Sequence, residues 1–292
     1  MNILSVDKDN ILKSKARYNK YRQYTEEFYQ LCLKYENKVA KLKLLGQWEK
    51  YILVVKNKVR LIKNVAEGDK WGEYNIIYCP EGINALGVSL CQINCDKVLI
   101  IGFAEIEEFC EKCLNIIRGT SLILACKLSS NIETYQMFAG VLFRHIILYG
   151  RVYNKEHELS QAFNPSSLRD TFSVSIHLET VTILDGDYSR LESLRSAFRY
   201  CISLHDVYLE NIEGAKIKYI DSIFDNCMSI REANLSALNV DECRSFSNIF
   251  YSCIGLRYVD INTWKLDEEK FNDIFKQYRG IIKVDHPLAK IV

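Results

Sequence analysis

Four cysteines, Cys91, Cys95, Cys110 and Cys113, are spaced C-x3-C-x14-C-x2-C, and four thiolates at comparable intervals are what a tetrahedral structural zinc ion requires. The apolar pattern around them offers a plainer use. Cys95 lies three before Val98, a position that Leu or Ile fills elsewhere in the chain, and Cys110 and Cys113 stand one helical turn apart beside Phe109. Free cysteine packs as a small apolar residue, so the four are assigned to the core, and neither a metal nor another cofactor is expected. His145, His157, His177, His205 and His286 share no spacing that would make a ligand set or activate a nucleophile. Asp185, Asp187 and Asp206 read as solvated acids, and no convergent acid, base and nucleophile emerge. Phosphate-cradling glycine motifs are absent from the sequence, and no catalysis is expected of it.

A second constellation is electrostatic. Lys13, Lys15, Arg17, Lys20 and Arg22 alternate with Tyr18, Tyr21 and Tyr24, residue types that could grip a phosphate backbone while rings stack on bases. Residues 1–65 hold 15 Lys or Arg and six Asp or Glu, so +9; the remaining 23 basic and 31 acidic residues give −8. The simplest use of this asymmetry is attraction between the two parts of one chain. Nucleic-acid association through the basic segment is the sharper alternative.

The element that positions everything else is a repeat. Phe172, Phe198, Phe224, Phe250 and Phe275 follow one another at intervals of 26, 26, 26 and 25 residues. Four before each is Leu168, Leu194, Ile220, Phe246 or Phe271; three after, in three units, is Cys201, Cys227 or Cys253. Six after comes Leu178, Leu204, Ile230, Leu256 or Ile281; nine after comes Val181, Val207, Ala233, Val259 or Val284. The spacing of Ile220, Ile223, Phe224 and Cys227 predicts a short helix, and the alternation that follows predicts a short strand. Such units bury their apolar edges only by stacking.

The segments AFRYCISLHDVYLENI, IFDNCMSIREANLSAL and IFYSCIGLRYVDINTW resemble the leucine-rich repeats of the BspA type. The resemblance covers about residues 168–288 and fades upstream. It implies an α/β leucine-rich repeat solenoid, with a parallel sheet and short helices. It also implies, as an alternative role, a surface-associated adhesin or antigen exported without a secretory leader.

Carried backwards, the ruler reaches Ile146 and Leu148 (headed by Met137), Leu122 and Leu124, then Val98 and Ile100. The register slips near Pro165, which predicts an insertion at 163–171. The solenoid is thus expected over 84–292, with about eight repeats. Residues 1–83 are expected to cap it: a helix from about Asp9 to Lys43, with a Phe28, Leu31, Cys32, Tyr35 stripe, then a hairpin of 51–55 and 59–62.

Function is expected on the outward side of the sheet. In the early units that side is mostly apolar (Leu99, Ile101, Ile123, Ala125, Ile147 and Tyr149), and the N-terminal helix is expected to cover it. In the late units Thr180, Thr182 and Leu184 are followed by an acidic, tyrosine-bearing stretch: Asp206, Tyr208, Glu210, Glu232, Asn234, Tyr258 and Asp260. Tyrosine supplies contact area with a polar tip, and carboxylates steer a basic protein partner. The expected role is non-catalytic protein recognition. Eleven cysteines, an odd number, and no apolar leader point to a reducing, cytoplasmic location, and no run of 18 apolar residues spans a membrane.

Overall fold

The computed structural model describes residues 3–4, 8–47, 69–79, 96–106, 119–128, 134–278 and 280–289. The expected hairpin at 51–55 and 59–62, and Cys91, Cys95, Cys110 and Cys113 with the zinc question, lie outside them. A long helix α1 (Lys8–Leu44) is followed by β1 (Lys70–Trp71), β2 (Tyr74–Tyr78), β3 (Lys97–Ile106), β4 (Ser121–Leu128) and β5 (His145–Tyr149). A hairpin of β6 (Arg151–Tyr153) and β7 (Leu159–Gln161) precedes β8 (Thr180–Leu184), β9 (Asp206–Leu209), β10 (Glu232–Asn234) and β11 (Tyr258–Asp260). Helix α2 (Glu268–Phe275) and β12 (Lys283–Asp285) complete the order.

The expected solenoid is present as stacked parallel strands. One sheet runs β1-β2-β3-β4-β5-β8-β9 and a second runs β10-β11-β12, parallel throughout except for the β1–β2 pair. Val181 pairs with Val207, Ala233 with Val259, and Val259 with Val284, so the nine-after position of the repeat is one rung of each sheet. Because β2 pairs in parallel with β3, the run of parallel strands reaches back to Tyr74.

Inside the stack, the repeat phenylalanines lie face to face. Phe138, Phe172, Phe198, Phe224, Phe250 and Phe275 form a column with centroid separations of 5.3, 5.3, 5.7, 6.1 and 6.1 Å. Successive planes lie within 13° of parallel, and offset stacking of this kind adds to simple burial. The column corrects two expectations. Phe138, not Met137, heads its unit. The interval from Phe138 to Phe172 is 34 residues, eight above the repeat, and the excess is the β6–β7 hairpin rather than 163–171. In the last unit the buried aliphatic is Ile282, 3% exposed, while Ile281 is 92% exposed. The change is local, because Val284, nine after Phe275, still pairs with Val259.

The helix expected in each unit forms only once among the described units, as α2, whose N-cap Asp267 accepts from Lys270 N at 2.8 Å. Elsewhere the phenylalanine segment is a run of turns. The residues two before and two after the phenylalanine are left-handed: Asp170 and Val174, Ser196 and Tyr200, Ser222 and Asn226, Asn248 and Ser252. A left-handed residue ends an α-helix. In exchange, alternate N–H groups point at the next unit. Those of Leu194, Ser196, Phe198 and Tyr200 donate to the carbonyls of Tyr219, Asp221, Ile223 and Asp225 at 2.8, 3.0, 3.0 and 2.7 Å. A helix would have consumed those donors internally, so the turns give the stack a second ladder opposite the sheet.

The cysteines three after the phenylalanine are buried as expected, and each bonds as well. Cys201, Cys227 and Cys253 donate Sγ–H to Phe172, Phe198 and Phe224 carbonyls of the preceding unit at 3.0, 2.9 and 3.0 Å. Ser175 fills the same slot one unit earlier and donates to Phe138 O at 2.8 Å.

Candidate protein-binding face

Alternation along each strand sends one set of side chains into the solenoid and the other outward. The outward set of the early strands is mostly apolar, and its apolar members do not meet water. Ile76, Tyr78, Leu99, Ile101, Ile123, Ala125, Ile147, Tyr149 and Leu184 pack with Phe28, Cys32, Tyr35 and Val39 of α1 as a second hydrophobic core. The predicted helix is thus observed, and it covers the predicted patch. Polar tips fix its placement: Tyr35 Oη donates to Asp69 at 2.9 Å, Trp71 Nε1 to Glu27 at 2.7 Å, and Tyr149 Oη to Tyr21 O at 2.7 Å. Burial pushes the Tyr35, Tyr78 and Tyr149 phenols well above their ordinary range, so they stay protonated and able to donate. The β6–β7 hairpin clasps the far side of α1. His157 stacks on Tyr29 at 4.3 Å and its Nε2 lies 2.8 Å from Glu26.

The cover extends further than the sequence implies. Thr180, Thr182 and Leu184 on β8, expected at the start of the open face, are 9%, 3% and 0% exposed. The edge of the cover falls on β9. Glu210 is 7% exposed and its carboxylate gathers Arg22 Nη2, Tyr208 Oη at 3.0 Å and Asp185 N at 2.8 Å. Arg22 also lies 3.8 Å from Asp185. Glu210 is therefore a latch for α1 rather than part of an open patch, and Tyr208 is half-buried against the second core. Nothing in the repeat marks Glu210 as different. Its partner is 188 residues away, and the one available signal was the opposite charge of the two segments.

Arg22, Tyr21 and Tyr24 of the basic–aromatic constellation are likewise engaged. Tyr21 and Tyr24 pack on the second core, and Tyr24 meets Trp71 edge-on at 4.6 Å. The side chains of Lys13, Lys15, Arg17 and Tyr18 lie outside the described residues.

Beyond β9 the outward residues are Glu232 and Asn234, then Tyr258 and Asp260, then Lys283 and Asp285; the first four are partly exposed and the last two fully. None of them belongs to the second core. Tyr258 Oη donates to Asp285 at 3.3 Å, and Lys283 Nζ sits 5.6 Å from the Tyr258 ring centre. Burial, then the Asp285 and Asp260 charges, raise the Tyr258 phenol above its ordinary value. Asp206, on β9, is partly exposed beside them.

This face offers carboxylates around an aromatic ring. The seven described cysteines are free and buried. Burial pushes the Cys32 and Cys253 thiols up to about 12 and raises the Cys201 and Cys227 thiols well above their ordinary value. Among the described residues no three His, Cys, Asp or Glu side chains are grouped to hold a metal ion, and no helix is long and apolar enough to cross a membrane. Neither a protein-family model, nor a curated protein, nor a solved structure matches the chain.

Proposed function

We propose that this chain is a non-catalytic protein-recognition scaffold of the leucine-rich repeat kind, and that it binds a basic partner through the outward face of β10–β12. The observation that supports this reading is where the second core stops. An apolar sheet face is hidden under α1 through β8, whereas the face of β10–β12 changes composition to Glu232, Asn234, Tyr258, Asp260, Lys283 and Asp285. Residues needing burial are covered by the same chain, and those suited to a polar interface stay outside the cover. Seven described cysteines are free and buried, which favours a reducing, cytoplasmic compartment over export.

The test is affinity capture from the source cells with the wild-type chain and with Tyr258→Ala/Asp260→Ala, followed by titration of the purified captured protein. A loss of tenfold or more in affinity, with unchanged circular dichroism, supports the face. Equal binding by the double variant removes it as the site. Cell fractionation separates the cytoplasmic role from the adhesin role that the repeat resemblance implies.

A further inference from the structure

The stack of parallel strands is parted between β9 and β10, where one sheet ends and the next begins. Ile3 lies in the parting. Its N–H donates to Val207 O on β9 at 2.8 Å, and its C=O accepts from Asn234 N on β10 at 3.0 Å. Ile3 and Leu4 are 0% and 4% exposed and belong to the core inside the solenoid. On the turn side the same two units remain directly joined, Phe198 N to Ile223 O at 3.0 Å and Tyr200 N to Asp225 O at 2.7 Å. The stack is therefore closed along its turns and opened along its strands, by the thickness of one inserted backbone. The rung residue on β10 is Ala233, where the other late units carry Val181, Val207, Val259 and Val284. The smallest side chain of the series stands beside the inserted isoleucine.

We propose that the parting between β9 and β10 is a binding slot for an aliphatic peptide, which Ile3 and Leu4 of this chain occupy in cis. Insertion of a backbone beside strand edges, like strand addition, takes its affinity from main-chain hydrogen bonds and its selectivity from side-chain pockets. Both parts are present: one carbonyl and one N–H face each other across the slot, and an aliphatic side chain is swallowed by the core. The ligand class is a segment with two adjacent aliphatic residues. Asp206 and Tyr208 on one bank and Glu232 and Asn234 on the other make basic flanking residues the better fit for a partner segment. The slot shares Glu232 and Asn234 with the proposed face but not Tyr258 and Asp260, so the two proposals fail separately.

Hydrogen exchange at the Asn234 amide reads the slot directly. In the wild-type chain this amide exchanges slowly. In full-length Ile3→Asp it exchanges at least 100-fold faster, and a synthetic peptide of residues 1–7 restores the protection saturably. The same peptide carrying Ile3→Asp does not, and adding Tyr258→Ala to the chain leaves peptide affinity unchanged. Fast exchange that the peptide cannot slow overturns the proposal, as does slow exchange in the Ile3→Asp chain. Where Ile3→Asp unfolds the protein, Ile3→Ala gives the same reading with a smaller acceleration, and an Asn234 amide insensitive to peptide in that variant overturns the proposal equally.

Discussion

Cys201, Cys227 and Cys253 sit where a thiol is both filler and donor, with Ser175 making the equivalent bond one unit earlier. The chemistry the slot selects is a small side chain with one hydrogen to give, so Cys227→Ser should cost about 1 kcal/mol or less in urea denaturation. Cys227→Val keeps the polarity of the core but loses the donor and crowds the stack, at about 1–3 kcal/mol. Their burial, and the elevated thiols it produces, predict no labelling of these three cysteines by a thiol reagent in the folded chain at neutral pH. Labelling should appear only across the unfolding transition. Glu210 makes the opposite case. Buried and holding three donors, it should lose about 1–3 kcal/mol as Glu210→Ala, since Arg22, Tyr208 and Asp185 N all forfeit their acceptor.

At the scale of elements, α1 is held by its apolar stripe, since most helical stability in proteins comes from tertiary packing of an amphipathic face. Phe28 touches Tyr24, Trp71 and Tyr149, with centroids at 6.2, 5.1 and 5.3 Å. Phe28→Ala should therefore cost about 3–5 kcal/mol and raise hydrogen exchange throughout α1 before the solenoid strands respond. The docking is also pH-dependent. Burial works against ionisation of Asp69, but hydrogen bonds from Tyr35, Lys34 and Lys38 outweigh it, and the carboxyl ends below its ordinary value of 3.8. A carboxyl depressed on folding stabilises above its unfolded pKa, and that contribution is lost as pH falls below 3.8 through the folded value. Asp69→Asn should flatten this part of the acid limb of an unfolding profile, leaving stability at pH 3 closer to that at pH 7 than in the wild-type chain.

Across the whole molecule, each unit is stabilised only by its neighbours, so the cost of a defect depends on its place in the stack. Phe224 is stacked on both sides, by Phe198 and Phe250, whereas Phe275 ends the column, stacked on Phe250 and met at a tilt by Phe271 at 5.4 Å. Phe224→Ala should lose about 3–5 kcal/mol and split the denaturation curve into two transitions, one for each side of the defect. Phe275→Ala should lose roughly half as much and fray only the last unit. Calorimetry of the two variants side by side checks the ratio.

The period of the phenylalanines was enough to determine that the chain stacks, which residues make the rungs from Val98 onward, and which side chains leave the sheet on its outer side, but not the parallel rung on β2. All of these depend on local alternation and on one repeated interval, and both are written along the chain. The stripe from Phe28 to Tyr35 likewise announced a helix with one apolar face, and the bare outer face of β3 to β5 announced something to receive it. What the intervals could not carry was the choice between a helical and a left-handed-turn path through Ser196, Phe198 and Tyr200. Both put the same side chains inward, and the balance is tipped by N–H groups bonding a neighbour 25 residues on. Nor could they place Arg22 on Glu210 or Ile3 between β9 and β10. Those pairings join residues roughly 190 to 230 positions apart, with no periodicity to relate them, and only the closed stack brings a basic helix and an aliphatic tip against the strands that accept them.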